Sequence, residues 1–95
     1  MDEPIRILVA DDHPVVRRGL RAFLDTQPDL EVVAEVADGM GAIRACSDAG
    51  AEVVLLDLLM PGGGADGVAA LHAACPAVRI IVLTSSDDAA HAFAV

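Results

Sequence analysis

Three acids stand where an apolar run stops. In "IRILVADD" the pair Asp11-Asp12 follows a β-branched-rich run, and in "VVLLDLLMPGG" Asp57 falls between four apolar residues and three more. A third run, "RIIVLTSS", ends in the hydroxyl of Thr84. A carboxylate in such company is costly to bury without a partner, a metal or water. If the three acids converge, like charges resist joint ionisation. A hard divalent cation relieves that repulsion, and Mg²⁺ is held by one or two carboxylates, a carbonyl and several waters. Asp57 is therefore expected at the lip of the core, within reach of water, beside a metal.

The elements that would bring the acids together can be read from periodicity. "IRILVAD" (5 to 11) is a buried strand, and "HPVVRRGLRAFLDTQ" places Val16, Leu20, Phe23 and Leu24 on one helix face, with Pro14 in the first turn. "EVVAEVA" (31 to 37) is a second strand. "DGMGAIRACSDAG" (38 to 50) is a second helix through Met40, Ile43 and Cys46, stopped at Gly50. "EVVLLD" (52 to 57) and "RIIVLTS" (79 to 85) are strands three and four, separated by the loop "LLMPGGGA" and a helix over 66 to 75. "DDAAHAFAV" (87 to 95) begins a fourth helix. Two-sided apolar strands alternating with amphipathic helices predict an α/β, doubly wound parallel sheet with helices on both faces. Ligands in such a sheet bind outside the carboxyl ends of the strands, where Asp11, Asp12 and Asp57 lie.

Composition narrows the classes. Ninety-five residues, 55% of them apolar, make one domain spanning 1 to 95. No apolar run nears the ~20 residues of a bilayer span, and "MDEPIR" is no signal peptide, so no membrane is expected. The net charge of −9, with six arginines and no lysine, repels phosphate backbones, so this segment by itself should not bind DNA. Cys46 and Cys75 fall within helical patterns without metal-ligand spacing and read as packing residues of a reducing cytoplasm. His13, His72 and His91 read as surface or helix-end residues with no metal. The glycine triplet at 62 to 64 lacks the Lys-Ser/Thr of a phosphate loop, and "GMG" lacks the third glycine of a dinucleotide site.

"VADDHPVVRRGL", "VVLLDLLMPGG…DGV" and "IIVLTSSDD" together resemble response-regulator receiver domains, in particular the NarL/FixJ type attached to a LuxR-like helix-turn-helix. The resemblance covers the whole chain. It implies the flavodoxin-like receiver fold with strand order 2-1-3-4, here without the family's fifth strand and fifth helix. It also implies that Asp57 accepts a phosphoryl group from the phosphohistidine of a sensor histidine kinase. Asp12 and Asp57 would hold Mg²⁺ through carboxylates, Asp11 directly or through water, and Leu59 through its backbone carbonyl. Thr84 would hydrogen-bond the phosphoryl oxygen and report it onward. DNA would be reached only through an output domain outside this chain.

Two features depart from the family pattern. The family's lysine after strand five has no counterpart here, and "PGGGADG" is one or two residues longer than the commonest form. The expected missing part is roughly 25 residues. Without it, strand four is a free edge and one sheet face is partly uncovered, which predicts a homodimer. Two other classes stand beside the phosphorylation switch: a receiver that acts only as a protein-interaction module, and a phosphatase with an aspartyl nucleophile. The phosphatase would want an Asp-x-Asp pair and a lysine, and the sequence offers neither.

Overall fold

The computed structural model describes residues 3–83 and 92–94. In chain order the elements are β1 (Ile5–Ala10), α1 (Pro14–Asp25), β2 (Leu30–Val36), α2 (Gly39–Asp48), β3 (Val53–Asp57), α3 (Ala65–Ala74), β4 (Arg79–Leu83) and β5 (Ala92–Ala94). The sheet order is β2-β1-β3-β4-β5, with the first four strands parallel. The expected doubly wound sheet and its 2-1-3-4 order are both present.

The strands form because each presents apolar side chains alternately to two faces. Leu8, Ala10, Val54, Leu56, Ile80 and Val82 point to one face, where they pack with Ala42 and Cys46 of α2 and Leu71 of α3. Ile7 and Val9 point to the other, where they meet Val32 and Leu24 of α1. Leu8, Leu56, Leu71 and Ile80 are essentially inaccessible to solvent. Burying each such side chain contributes roughly 1.5–3 kcal/mol. The α1 face is the thinner one: Val53, Leu55, Ile81 and Leu83 are only half-buried. That agrees with the partly uncovered face expected from the sequence.

Two details differ from the reading of the sequence. The buried stripe of α1 is rotated: Leu20 and Leu24 pack inward, while Val16 and Phe23 are exposed. Arg17 causes this, because its guanidinium donates to the Asp11 carbonyl at 2.7 Å and lies 3.4 Å from Glu35, turning that side of the helix toward the sheet. The second difference is at the chain end. Where a fourth helix was expected over 87 to 95, residues 92–94 form a strand antiparallel to β4, pairing Ile81, Val82 and Leu83 with Ala94, Phe93 and Ala92. An edge of unpaired N–H and C=O groups is a template for any extended segment. Here the chain's own residues use it, so the β4 edge is not free as the dimer expectation assumed. Residues 84–91 lie outside the described residues, and with them the start of the expected helix.

The "MPGGGADG" loop is held by backbone contacts. Gly62 adopts the left-handed φ of 75°, which glycine takes without strain. A methyl group on Gly39 or Gly67 would run into the Gly62 carbonyl, and one on Gly63 into the Asp57 carbonyl. The Gly39 N–H also donates to the Pro61 carbonyl at 2.9 Å. The starts of α2 and α3 are thus pinned to the loop that leaves β3.

Candidate metal centre

The register builds the site. β1 and β3 are neighbours with Ala10 opposite Leu56, so Asp11 and Asp57 leave the sheet side by side at its carboxyl end. The Asp11 N–H continues the ladder to the Val36 carbonyl at 3.0 Å, which holds its backbone in strand geometry one residue past β1. Both carboxylates are buried: Asp11 is 4% exposed and Asp57 3%. The sequence placed Asp57 within reach of water; it lies deeper, at 3% exposed.

Asp57 Oδ1 accepts the Leu59 N–H at 2.9 Å. Its other oxygen, Oδ2, is buried and accepts nothing. An unpaired buried carboxylate oxygen costs about 1–3 kcal/mol or more, which a structure retains only for a reason. Burial raises the pKa of Asp57 first. The Leu59 N–H works against that, and the neighbouring Asp11 and Asp12 charges push it up further.

His13 was read from the sequence as a surface or helix-end residue. It is half-exposed, yet its ring is in the acid cluster. Nδ1 lies 3.0 Å from Asp11 Oδ1, 3.1 Å from Asp12 Oδ1 and 3.6 Å from Asp57 Oδ2. The local chain dictates this. His13 is the N-cap of α1 in extended conformation, followed by Pro14 at the first helical position. Asp11 Oδ1 also accepts the His13 N–H at 2.8 Å, so the acid fixes both the backbone and the ring. The hydrogen bond from Asp11 raises the His13 pKa first, and the Asp12 charge adds to it. A histidine directly after two strand-end acids was the available signal: three consecutive polar residues between a strand and a helix have little room to diverge.

Asp11, Asp12, His13 and Asp57 each bring one ligand atom, all within 4.8 Å of one another. The donor set suits a divalent cation on two grounds: Asp57 Oδ2 lacks a partner, and an imidazole drawn toward its protonated form stands where positive charge is wanted. Among the described residues, no other cationic group lies within 4 Å of these carboxylates. The Leu59 backbone is tied beside Asp57 by its N–H. Thr84 falls outside the described residues.

The chain's likenesses agree with this geometry. Residues 7–95 match the family model described as response regulator receiver domain. The chain is 47% identical over 90 residues to the uncharacterized transcriptional regulatory protein YhcZ of Bacillus subtilis, covering 92% of this chain and 41% of that protein. It is 45% identical over 87 residues to the transcriptional regulatory protein LiaR of the same organism, covering 88% and 40%. Among solved structures, a LuxR-family two-component response regulator from Aurantimonas superposes with a TM-score of 0.81 at 35% identity, over 90% of this chain and 61% of that one. The chain thus spans about two fifths of the length of these curated relatives. Neither the interaction-only module nor the phosphatase is favoured by these likenesses. Among the described residues, no helix is long and apolar enough to cross a membrane.

Proposed function

The chain belongs to the response regulator receiver domain family, and on that footing we propose that Asp57 is its phosphoacceptor. It takes a phosphoryl group from the phosphohistidine of a sensor histidine kinase and thereby switches a transcriptional output. The observation that carries this reading is Asp57 Oδ2, a buried oxygen with no partner beside two further acids. That oxygen is the nucleophile: it forms a bond to phosphorus as the phosphorus–nitrogen bond of the donor breaks. The Leu59 N–H on Oδ1 holds the carboxylate so that Oδ2 faces the entering group.

Asp11, Asp12 and Asp57 would hold Mg²⁺, with the Leu59 carbonyl as a backbone ligand. Bound there, the ion neutralises charge on the transferring phosphoryl group. The chain's own residues do the rest. Asp11 is fixed by its ladder bond to the Val36 carbonyl, and the Gly63 backbone lies against the Asp57 carbonyl. Leu83, the residue before Thr84 in the sequence, is the register partner of Asp57 in β4. We assign Thr84 the role of hydrogen-bonding the phosphoryl oxygen. A homodimer, DNA contact through an output domain outside this chain and a cytoplasmic location complete the proposal. Residues 1–95 serve as the phosphoacceptor domain.

Mass spectrometry after incubation with acetyl phosphate and Mg²⁺ tests the assignment. One added phosphoryl group is expected on the parent chain and none on Asp57→Asn. An adduct that persists in Asp57→Asn places the acceptor elsewhere.

A further inference from the structure

Two thiols and a cleft lie at the amino end of the strands, away from the acids. Cys46, in the last turn of α2, is 4% exposed and belongs to the core cluster that α2 and α3 share. Cys75, the C-cap of α3, is half-buried and packs against the same cluster. Both were expected to be packing residues, and both pack. The fold also sets them side by side, with Cys75 next to the Cys46 thiol. Together with Ala51, Pro76 and Ala77 they line one cleft of about 590 Å³. Their backbones are tied down. The Cys46 carbonyl accepts the Ala51 N–H at 3.2 Å, the Cys75 N–H donates to the Leu71 carbonyl at 2.8 Å, and the Cys75 carbonyl accepts the Val78 N–H at 3.1 Å. From this placement we propose that Cys46 and Cys75 form a peroxide-sensitive dithiol, a modification site that closes to an intramolecular disulfide.

Exposure divides the roles. Cys75 is the sulfur that a solute in the cleft meets first. The Cys46 thiol is held protonated, pushed up to about 12 chiefly by burial, so it is not the first nucleophile. The Cys75 thiolate attacks one oxygen of hydrogen peroxide. The O–O bond breaks, and the departing hydroxide takes up the thiol proton as water. Cys75 is left as a sulfenic acid. The Cys46 sulfur then attacks the Cys75 sulfur, the S–O bond breaks, and hydroxide leaves with the Cys46 proton as a second water. Two thiols are oxidised by two electrons and one peroxide is reduced. The oxidant is small and neutral, which suits a chain of net charge −9 better than an anionic disulfide does. In a reducing compartment such a bond is transient and of the sensing kind. The crosslink closes a ring that contains β3, Asp57 and the glycine loop. It restricts the unfolded chain over that segment and so stabilises the fold. Neither a metal nor the phosphoryl-transfer reading enters this inference.

The test is hydrogen peroxide added to the reduced, desalted chain, followed by intact mass and a non-reducing peptide map. The expected product is a monomer lighter by two hydrogen atoms, with the Cys46 and Cys75 peptides joined, and dithiothreitol restores the parent mass. The oxidised chain should melt at least about 5 °C higher than the reduced one. Cys46→Ala should stop at a Cys75 sulfenic acid that dimedone traps, and Cys75→Ala should yield neither adduct nor crosslink, each variant being checked for native circular dichroism. The parent's peptide map decides alone if a variant does not fold. Two thiols still free to alkylate after peroxide treatment and unfolding, a bond only between chains, or a Tm that does not rise on crosslinking would each overturn the proposal.

Discussion

The two ends of the parallel strands treat charge in opposite ways. At the amino end, Arg6 is spent on structure. Its Nε donates to the Gly50 carbonyl at 3.1 Å and one terminal nitrogen to the Ala49 carbonyl at 2.5 Å, while Glu31 lies 3.9 Å away. Ala49 caps the C-terminus of α2, so a cation closes orphan carbonyls at the negative end of a helix. Glu52 is tied in as well, accepting the Arg6 N–H at 3.0 Å. At the carboxyl end, acids are crowded together and one buried oxygen is left unpaired. One end spends its polar groups on stability. The other leaves a buried acid oxygen unpaired, so the same kind of change should have opposite signs at the two ends.

The largest effect is expected where the carboxyl end is most tightly built. Gly67→Ala drives a methyl into the Gly62 carbonyl. It should cost ~2–3 kcal/mol, or a Tm lower by roughly 10 °C or more in a domain this size. By contrast, the amino end has room: a cleft of about 590 Å³ is lined by Ala51, Ala77, Cys46 and Cys75 among others. Ala77→Val, at its rim, should leave Tm within a few degrees. A large loss from Ala77→Val would remove the contrast in packing.

Next come the charge deletions. Arg6→Met leaves the Ala49 and Gly50 carbonyls without their donor and should destabilise by about 1–2 kcal/mol in thermal or denaturant unfolding. Asp57→Asn in metal-free protein removes a charge that burial and its neighbours disfavour. It should stabilise by on the order of 1 kcal/mol, or ~4–8 °C; millimolar Mg²⁺ is expected to raise the Tm of the parent and not that of the variant. Loss of stability in both variants would show that the two ends do not differ in kind.

The pH response is a smaller test of the same contrast. The Asp57 pKa is raised above the ordinary aspartate value near 3.9, so between that value and the raised one the native state holds more protons than the unfolded chain. Stability from this group therefore falls as pH rises through that window. The His13 pKa is raised above 6.5, so its contribution is fully present below that and is lost as pH climbs through the raised value. In EDTA the chain should lose Tm on going from mildly acidic to alkaline pH, and Asp57→Asn should flatten the acidic part of that profile. The smallest expected signal is chemical. Burial, with Cys75 beside it, pushes the Cys46 thiol up to about 12. Alkylation of Cys46 at pH 8 should be far slower in native than in unfolded protein, followed by mass spectrometry.

What could be read in advance follows from which forces are local. The strands were legible because "IRILVA", "VVLL" and "IIVL" are apolar on both faces, a pattern that only a sheet covered on both sides requires. Asp11, Asp12 and Asp57 were legible because strand ends in such a sheet share one edge. His13 was less plain, since its place depends on a ring turning back toward Asp11 two residues away, a local side-chain contact that no periodicity encodes. The exposure of Phe23 goes with Arg17 reaching back to the Asp11 carbonyl and out to Glu35 of β2. The strand at 92–94 answers an edge that exists only once β4 is in place.

The parallel register also fixes a timetable for folding. Ile7 pairs with Val53, 46 positions along the chain, and Ile5 with Leu30, 25 positions along. The pairing of β4 with β5 is the short-range exception, Val82 meeting Phe93. No rung of β1, the most deeply buried strand, can be closed by a hairpin. Long-range pairing of this kind slows folding, because loop-closure entropy is lost before the contacts form. At 5–20 residues per second of synthesis, the segment separating Ile7 from Val53 takes roughly 2–9 s to make. Through that interval a strand destined for cover on both faces has no β3 to lie against. A nascent chain of this topology is most exposed to misassociation before Asp57 has even been translated.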